Sequence, residues 1–341
     1  VNHPDPSDED MSWFKRDRRD RKEKRKAFTR IFFATDVHGS EPCFIKFVNA
    51  ASFYKADVIV LGGDITGKQI VTIERRDDEY RAHLFGQDWV ARTPQELAQL
   101  EKHIRTNGFY PYVATADELA ELSVDGDKVA DLFSRLMCKT VERWLRMAEE
   151  RLRDQPVKCF ISPGNDDSFD LDPILESSDV VICPEGRVVD LDGEHTMVSC
   201  GYANMTPWRC PRDIEDDELR HKLESTLSRV EDPSHCVFNF HAPPYDSTLD
   251  TAPQVDADLK PVLVGGQPHM IPVGSVAVRE AIEKYQPIVG LHGHIHECRG
   301  AVRLGRTLCV NPGSEYSEGI LRGVLVNIAD GRLVSHQFVT G

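Results

Sequence analysis

No apolar run in this 341-residue sequence approaches the roughly 20 residues that a membrane-crossing helix needs. No basic segment followed by an apolar one opens the chain in the manner of a secretory signal. Cys-x-x-Cys pairs are missing, and the nine cysteines are odd in number and scattered. In a chain of this length that pattern indicates reduced thiols rather than a disulfide framework, and a cytoplasmic location is expected. Positive charge is also in short supply. Lys and Arg total 41 against 56 Asp and Glu, a formal net charge of −15, so the surface as a whole would repel phosphate backbones. Bulk nucleic acid is thereby disfavoured as a partner. No internal repeat is visible.

What remains is a chain long enough to bury a full core, as one large domain or two modest ones. Residues 1–14 are polar and proline-containing and are expected to be disordered. Met11 is a candidate start residue, which would make Val1 to Asp10 an upstream extension. Lys15 to Lys26 carries nine basic and three acidic residues. It reads either as a solvated helix or as an arm for an anionic partner, completing an N-terminal arm over 1–28.

From Thr29 onward strands and helices alternate. Ile31 to Thr35 and Asp57 to Leu61 read as buried strands around an amphipathic helix, Glu41 to Tyr54, which implies a parallel sheet and an α/β fold. The alternation breaks over 67–155. A hairpin is expected at Gln69–Glu74 and Tyr80–Phe85, and a helix over Pro94–Thr106 with proline in its first turn. Residues 129–152 have apolar positions at helical spacing and read as core packing. The region as a whole reads as an insertion into a domain spanning 29–341. It is a candidate cap over the sheet end or, equally, an interface between copies of the chain. Core strands resume at Val157–Ile161, Thr196–Gly201, Cys236–Phe240, Ile288–Leu291, Thr307–Val310 and Leu321–Ile328, with helices over Asp216–Val230 and Val276–Lys284. Pro243–Gly274 reads as a loop.

Five of the apolar runs end in metal-ligand residue types: Asp36 and His38; Asp64; Asn165 with Asp166; His241; and His294 with His296. On an extended backbone residues two apart project to one side, so Asp36 and His38 are expected to leave the strand end together. Buried carboxylates and imidazoles without partners are costly, so five such endings at one sheet edge call for a shared purpose. Mixed oxygen and nitrogen donors suit Mn, Fe, Co or Zn. With Asp166 set aside, seven donors exceed one tetrahedral ion and suit two ions sharing a carboxylate, a clamp for in-line displacement at phosphorus.

Asp36-Val-His38, Gly63-Asp64, Gly164-Asn165-Asp166, His241 and Gly293-His294-Ile-His296 resemble, in order, the five motifs of the calcineurin-like metallophosphoesterases. The resemblance frames residues 30–330 and leaves 67–155 unexplained. It implies a four-layer α/β/β/α sandwich with two facing mixed sheets. It also implies a cofactor of two divalent transition-metal ions (Mn, Fe or Zn), with Asp36, His38 and His296 on one ion and Asn165, His241 and His294 on the other. Asp64 would bridge them, and a metal-bridging hydroxide would attack phosphorus. Many family members follow the Gly-Asn pair with histidine; here Asp166 stands there, followed by Asp167. A carboxylate beside two cations is a poor proton donor, so either Asp166 positions a water or substrate group, or the enzyme acts on esters whose leaving groups need little protonation, or Asp166 only supports Asn165 or a nearby backbone.

The substitution and the covering insertion tilt the expected substrate toward a small phosphodiester rather than a monoester. The competing classes are a nuclease of the same fold and a scaffold that has lost catalysis; none of the seven ligands is missing, which disfavours the scaffold. Asn204 and Tyr245 are candidate substrate contacts, and His292 and Asp246 candidate supports behind the ligands. Asn311 to Ser314 reads as a structural turn, and Cys43 and Cys298 as small buried hydrophobes.

Overall fold

The computed structural model describes residues 28–341; the basic run at 15–26 lies outside them. The strands in chain order are β1 (Thr29–Ala34), β2 (Val58–Leu61), β3 (Ile70–Arg75), β4 (Tyr80–Leu84), β5 (Gln87–Ala91), β6 (Tyr110–Ala114), β7 (Lys158–Ile161), β8 (Val181–Ile182), β9 (Val188–Asp190) and β10 (Thr196–Cys200). Two short strands, β11 (Ala203–Asn204) and β12 (Asp213–Ile214), precede β13 (Cys236–Phe240). The segment expected to be a loop contains two small ribbons, β14 (Thr251–Pro253) with β17 (Met270–Pro272) and β15 (Leu263–Val264) with β16 (Gln267–Pro268). The chain closes with β18 (Val289–Leu291), β19 (Gly300–Leu304), β20 (Thr307–Asn311), β21 (Arg322–Ala329) and β22 (Arg332–Thr340). The helices are α1 (Glu41–Phe53), α2 (Pro94–Thr106), α3 (Ala116–Val124), α4 (Gly126–Leu152), α5 (Asp172–Leu175), α6 (Asp216–Leu227) and α7 (Val276–Tyr285).

Two mixed six-stranded sheets dominate, in the orders β22-β21-β1-β2-β7-β8 and β19-β20-β18-β13-β10-β9. Strands β1, β2 and β7 run parallel in the first, as β10, β13, β18 and β20 do in the second. Period-two alternation assigns their side chains to different cores. Ile31, Phe33, Val58, Val60 and Phe160 of the first sheet share one buried cluster with Met197, Val237, Leu291 and Val310 of the second. The alternate residues Phe32, Ala34, Ile59, Leu61 and Ile161 pack instead with helices α1 and α4. Val198, Phe238 and Phe240 pack with α6 and α7. Both sheets are thus apolar on both faces, as parallel strands require. The fold is mixed α/β.

Residues 67–155 contain two kinds of structure. Strands β5-β4-β3-β6 form a separate four-stranded sheet, with β3 and β6 parallel. It closes over its own cluster of Val71, Ile73, Ala82, Leu84, Leu100 and Ile104. Helix α4 belongs to the main core: Met137, Val141, Trp144, Leu145 and Ala148 are buried there, and Trp144 stacks on Phe44 at 4.4 Å between ring centroids. Helix α2 begins as its sequence indicates, with Pro94 in the first turn and the Thr93 hydroxyl accepting from Glu96 N–H. Among the described residues no helix is long and apolar enough to cross a membrane. All nine cysteines are free.

Candidate metal centre

Strand β1 stops at Ala34, so Asp36 and His38 lie in the turn beyond it. Their shared direction does not come from strand alternation, contrary to the expectation above. Asp36, His38, Asp64 and His294 all have positive φ, 53°, 39°, 49° and 67°. Left-handed backbone is uncommon outside glycine and is held only where the surroundings impose it, as at functional sites. Here the imposition is visible. Asp36 N–H donates to Gly63 O (3.0 Å), His38 N–H to Asp64 O (3.0 Å) and Gly39 N–H to Ile65 O (2.9 Å), zipping the two strand-end loops together.

The side chains converge on two groups, Asp36 with His38 and His296, and Asp64 with His241 and His294. His38 and His296 point their Nε2 atoms at each other at 3.0 Å. His296 Nε2 is 3.3 Å from Asp36 Oδ1. Asp64 Oδ2 stands between His38 Nε2 (3.6 Å) and His241 Nε2 (3.4 Å). Its other oxygen, Oδ1, accepts from Asp166 N–H at 3.0 Å. A third group joins His38, Asp64 and Asp166.

Asn165 does not appear in those carboxylate and imidazole groups, yet its Oδ1 lies 2.9 Å from His294 Nδ1. Asp213 Oδ1 accepts from the Asn165 amide NH₂ at 2.8 Å, which fixes the amide so that its oxygen faces the centre. That oxygen can only accept, so without a cation the contact needs a proton on Nδ1. Asp213 was not foreseen, and nothing in its local sequence marks it.

The donors fit a metal on chemical grounds. His241 Nδ1 lies 3.2 Å from Gly62 O, so that nitrogen donates to the carbonyl and Nε2 is left as the atom a metal would take in place of a proton. Nε2 is buried and has no hydrogen-bond partner, a cost that a cation would remove. The charges agree. Burial pushes Asp36 up, but His241 and His296 outweigh it and hold the carboxyl below the usual range. Asp64 is lowered in the same way by His241 and His38. Burial lowers His241, yet Asp64 and Asp36 bring it up to about 10. Two buried carboxylates thus draw positive charge into the site. Burial alone dominates at His38 and His294, both lowered to about 4, so their imidazoles are neutral and available as ligands.

Other sequence candidates fall into place by their contacts. His292 does not project beside His294. Its Nδ1 sits 2.8 Å from Phe240 O and 3.1 Å from Ala242 O, the residues flanking His241. The Asn311 amide donates to Gly293 O (3.1 Å) and Ile295 O (3.0 Å), and Ser314 Oγ donates to Asp36 O (2.6 Å), so this turn holds the histidine loop to the first one. Asn204 donates to Val273 O at 3.0 Å. The carbonyls of Tyr245 and Asp246 accept from Arg279 (2.8 Å each), and Asp246 N–H donates to Asp250. These are the contacts of loop structure, and none reaches a ligand side chain. Asp166 lies 3.9 Å from His38 Nδ1 and pairs at 3.0 Å with Lys68 Nζ, a residue no motif singled out.

A mixed α/β chain whose two main sheets bring carboxylates and imidazoles together in this way is, as a class, a candidate metal-binding protein. No family model matches it. An uncharacterized protein of Methanocaldococcus jannaschii, MJ1162, is 29% identical over 152 residues, which is 44% of this chain and 61% of that protein. One solved chain overlays with a TM-score of 0.54 at 15% identity, covering 92% of this chain and 98% of its own, a likeness of fold. A solved chain described as a novel archaeal phosphodiesterase covers 92% of this chain and 100% of its own at 10% identity, with a TM-score of only 0.30.

Proposed function

We propose that this chain is a metal-dependent phosphoesterase of the calcineurin-like metallophosphoesterase type, with a preference for phosphodiesters. The observation that carries the proposal is the position of Asp64 Oδ2, within 3.6 Å of His38 and 3.4 Å of His241, with a second carboxylate and further imidazoles on either side. Asp36, His38 and His296 would hold one divalent transition-metal ion, Asn165, His241 and His294 the other, and Asp64 both. When bound, such a pair supplies Lewis acidity, lowering the pKa of water and neutralising phosphoryl oxygens. The chain's own part is to keep the His38 and His294 imidazoles neutral and the carboxylates charged, and to hold both in geometry that the left-handed turns impose. The division of apolar side chains among three clusters supports the four-layer α/β/β/α order that the motif resemblance implies.

The preference for diesters rests on the carboxylate at 166 and on the approach of the inserted sheet. Purified protein given Mn(II) is expected to retain about two metal equivalents and to hydrolyse bis-p-nitrophenyl phosphate faster than p-nitrophenyl phosphate. Faster monoester turnover would overturn the preference; failure to take up any transition metal would overturn the class.

The inserted sheet would narrow access to the metals. The α2–β6 turn supports this: a Cβ on Gly108 would meet His38 O at 2.1 Å, so the insertion touches the backbone of a ligand residue. Shortening the β4–β5 hairpin is expected to leave metal content unchanged and to raise turnover of bulky diesters relative to small ones. An unchanged ratio would leave the insertion a structural or interface role.

A further inference from the structure

Lys68 is a cationic side chain beside the metal centre that the motifs leave out. Its Nζ lies 3.0 Å from Asp166 Oδ2. Asp166 in turn gives its backbone N–H to Asp64 Oδ1, so the ammonium is one residue removed from the carboxylate that joins the two ligand groups. A salt bridge between half-exposed partners contributes little stability, and stability does not explain the effort spent on holding this loop.

The backbone around Lys68 is pinned on both sides. Asp167 accepts from Ile65 N–H (3.0 Å) and Thr66 N–H (2.9 Å). Gly67 N–H donates to the Tyr110 hydroxyl (2.8 Å), and Tyr110 N–H returns to Gln69 O (2.9 Å). A Cβ on Gly67 would lie 2.0 Å from Gly108 O, so the loop and the inserted sheet meet backbone to backbone. The peptide is held at these points, while the side chain, 48% exposed, reaches from it to Asp166. Tyr316 packs on His38 at 4.8 Å and on His296 at 5.9 Å between ring centroids. Burial would lower the Lys68 pKa, but Asp166 and Asp64 outweigh it and keep the group an ammonium.

We propose that Lys68 is a catalytic residue whose ammonium binds the phosphoryl group and the departing oxygen of the ester, with Asp166 as its positioning partner. This rests on the phosphoesterase reading. As a hydroxide oxygen bonds to phosphorus, the phosphorus–oxygen bond to the leaving group breaks and its electron pair departs on that oxygen. The Lys68 ammonium donates a hydrogen bond to the developing anion and keeps its proton; solvent protonates the released alkoxide or phenoxide. The chain thus supplies, from the loop after Asp64, a fixed cation where Asp166 by itself would offer only negative charge. Preorganised donors of this kind act where charge develops in the transition state.

The test compares Lys68→Met, which keeps the stem without the charge, with Lys68→Arg and the wild type, all loaded with Mn(II). Metal content and Tm are expected to stay at wild-type values. For bis-phenyl phosphate, whose leaving group is poor, Lys68→Met should lose about 10²-fold or more in kcat/KM. For bis-p-nitrophenyl phosphate the loss should be several-fold smaller, and Lys68→Arg should recover part of both. Inorganic phosphate, as an equilibrium probe, should bind Lys68→Met at least about 10-fold more weakly by calorimetry. Equal losses for both leaving groups, or loss of metal from the variant, would overturn the assignment and make Lys68 a structural ion-pair partner. If the wild type hydrolyses no ester, the phosphoesterase reading fails; the phosphate arm then still decides whether Lys68 binds a phosphoryl group, and unchanged phosphate affinity would overturn that as well.

Discussion

Replacing Asp64 with Ala is expected to abolish turnover, a fall in kcat/KM of at least about 10³-fold, while the fold persists. Asp64 Oδ2 faces His38 on one side and His241 on the other, so its loss opens both ligand groups at once. Asp36→Ala disturbs chiefly the group with His38 and His296. Metal content should therefore fall further in Asp64→Ala than in Asp36→Ala, which elemental analysis of the dialysed proteins reads directly. Stability should fall with activity even when metal is absent. In the metal-free chain burial works against the Asp64 carboxylate, but His241 and His38 outweigh it and hold it well below the usual range, and its Oδ1 accepts from Asp166 N–H. Removing it leaves His241 and that N–H without their partner, so the metal-free Asp64→Ala protein should melt below metal-free wild type. The rise in Tm that Mn(II) produces in wild type should disappear in the variant. A variant that keeps its metal content and the Mn(II)-induced rise in Tm would show that Asp64 serves the fold instead of a metal.

How much of this centre could be read from residues alone depends on what placed each side chain. The strand ends before Asp36, Asp64, Asn165, His241 and His292 were legible because short apolar runs ending in polar residues leave a strong local pattern. The outward direction of the side chains was not. Alternation along a strand was the wrong cause for Asp36 and His38, since β1 ends first and left-handed turns do the aiming. His292, just past the end of its strand, turns to the backbone on either side of His241. Partners that act through space left no local trace. Asp213 reaches Asn165 across 48 residues, and Lys68 meets Asp166 across 98. Their own neighbours in sequence carry no ligand spacing. In the fold, β6, α3 and β22 were also missed. Strand β6 opens on Tyr110-Pro-Tyr, where proline argues against a paired strand. Strand β22 has an exposed, mostly polar pattern as the edge of its sheet, and an edge needs no apolar alternation to exist.

The two adjacent aspartates after Asn165 should separate cleanly under mutation. Asp167 is fully buried and accepts from Gly164 N–H (2.8 Å), Ile65 N–H (3.0 Å), Thr66 N–H (2.9 Å) and Thr66 Oγ (2.5 Å). It ties the loop after Asp64 to the loop that carries Asn165. Each buried donor left without an acceptor costs about 1–3 kcal/mol, so Asp167→Ala, which strands three backbone N–H groups, should destabilise the protein by at least about 3 kcal/mol. Activity and metal affinity should fall with it, although Asp167 touches no ligand side chain through these bonds, because Asp64 and Asn165 lose their common anchor. Asp166 is part-exposed, and its recorded side-chain partners are Lys68 and His38. Asp166→Asn should therefore change stability by less than about 1 kcal/mol while altering turnover through Lys68. Denaturant melts of both variants beside their kcat/KM values make the comparison. Equal destabilisation would mean that both carboxylates are structural. A stable, metal-replete and active Asp167→Ala would show that the two loops hold their geometry without this carboxylate, leaving the left-handed turns at Asp36 and Asp64 to position the ligands by themselves.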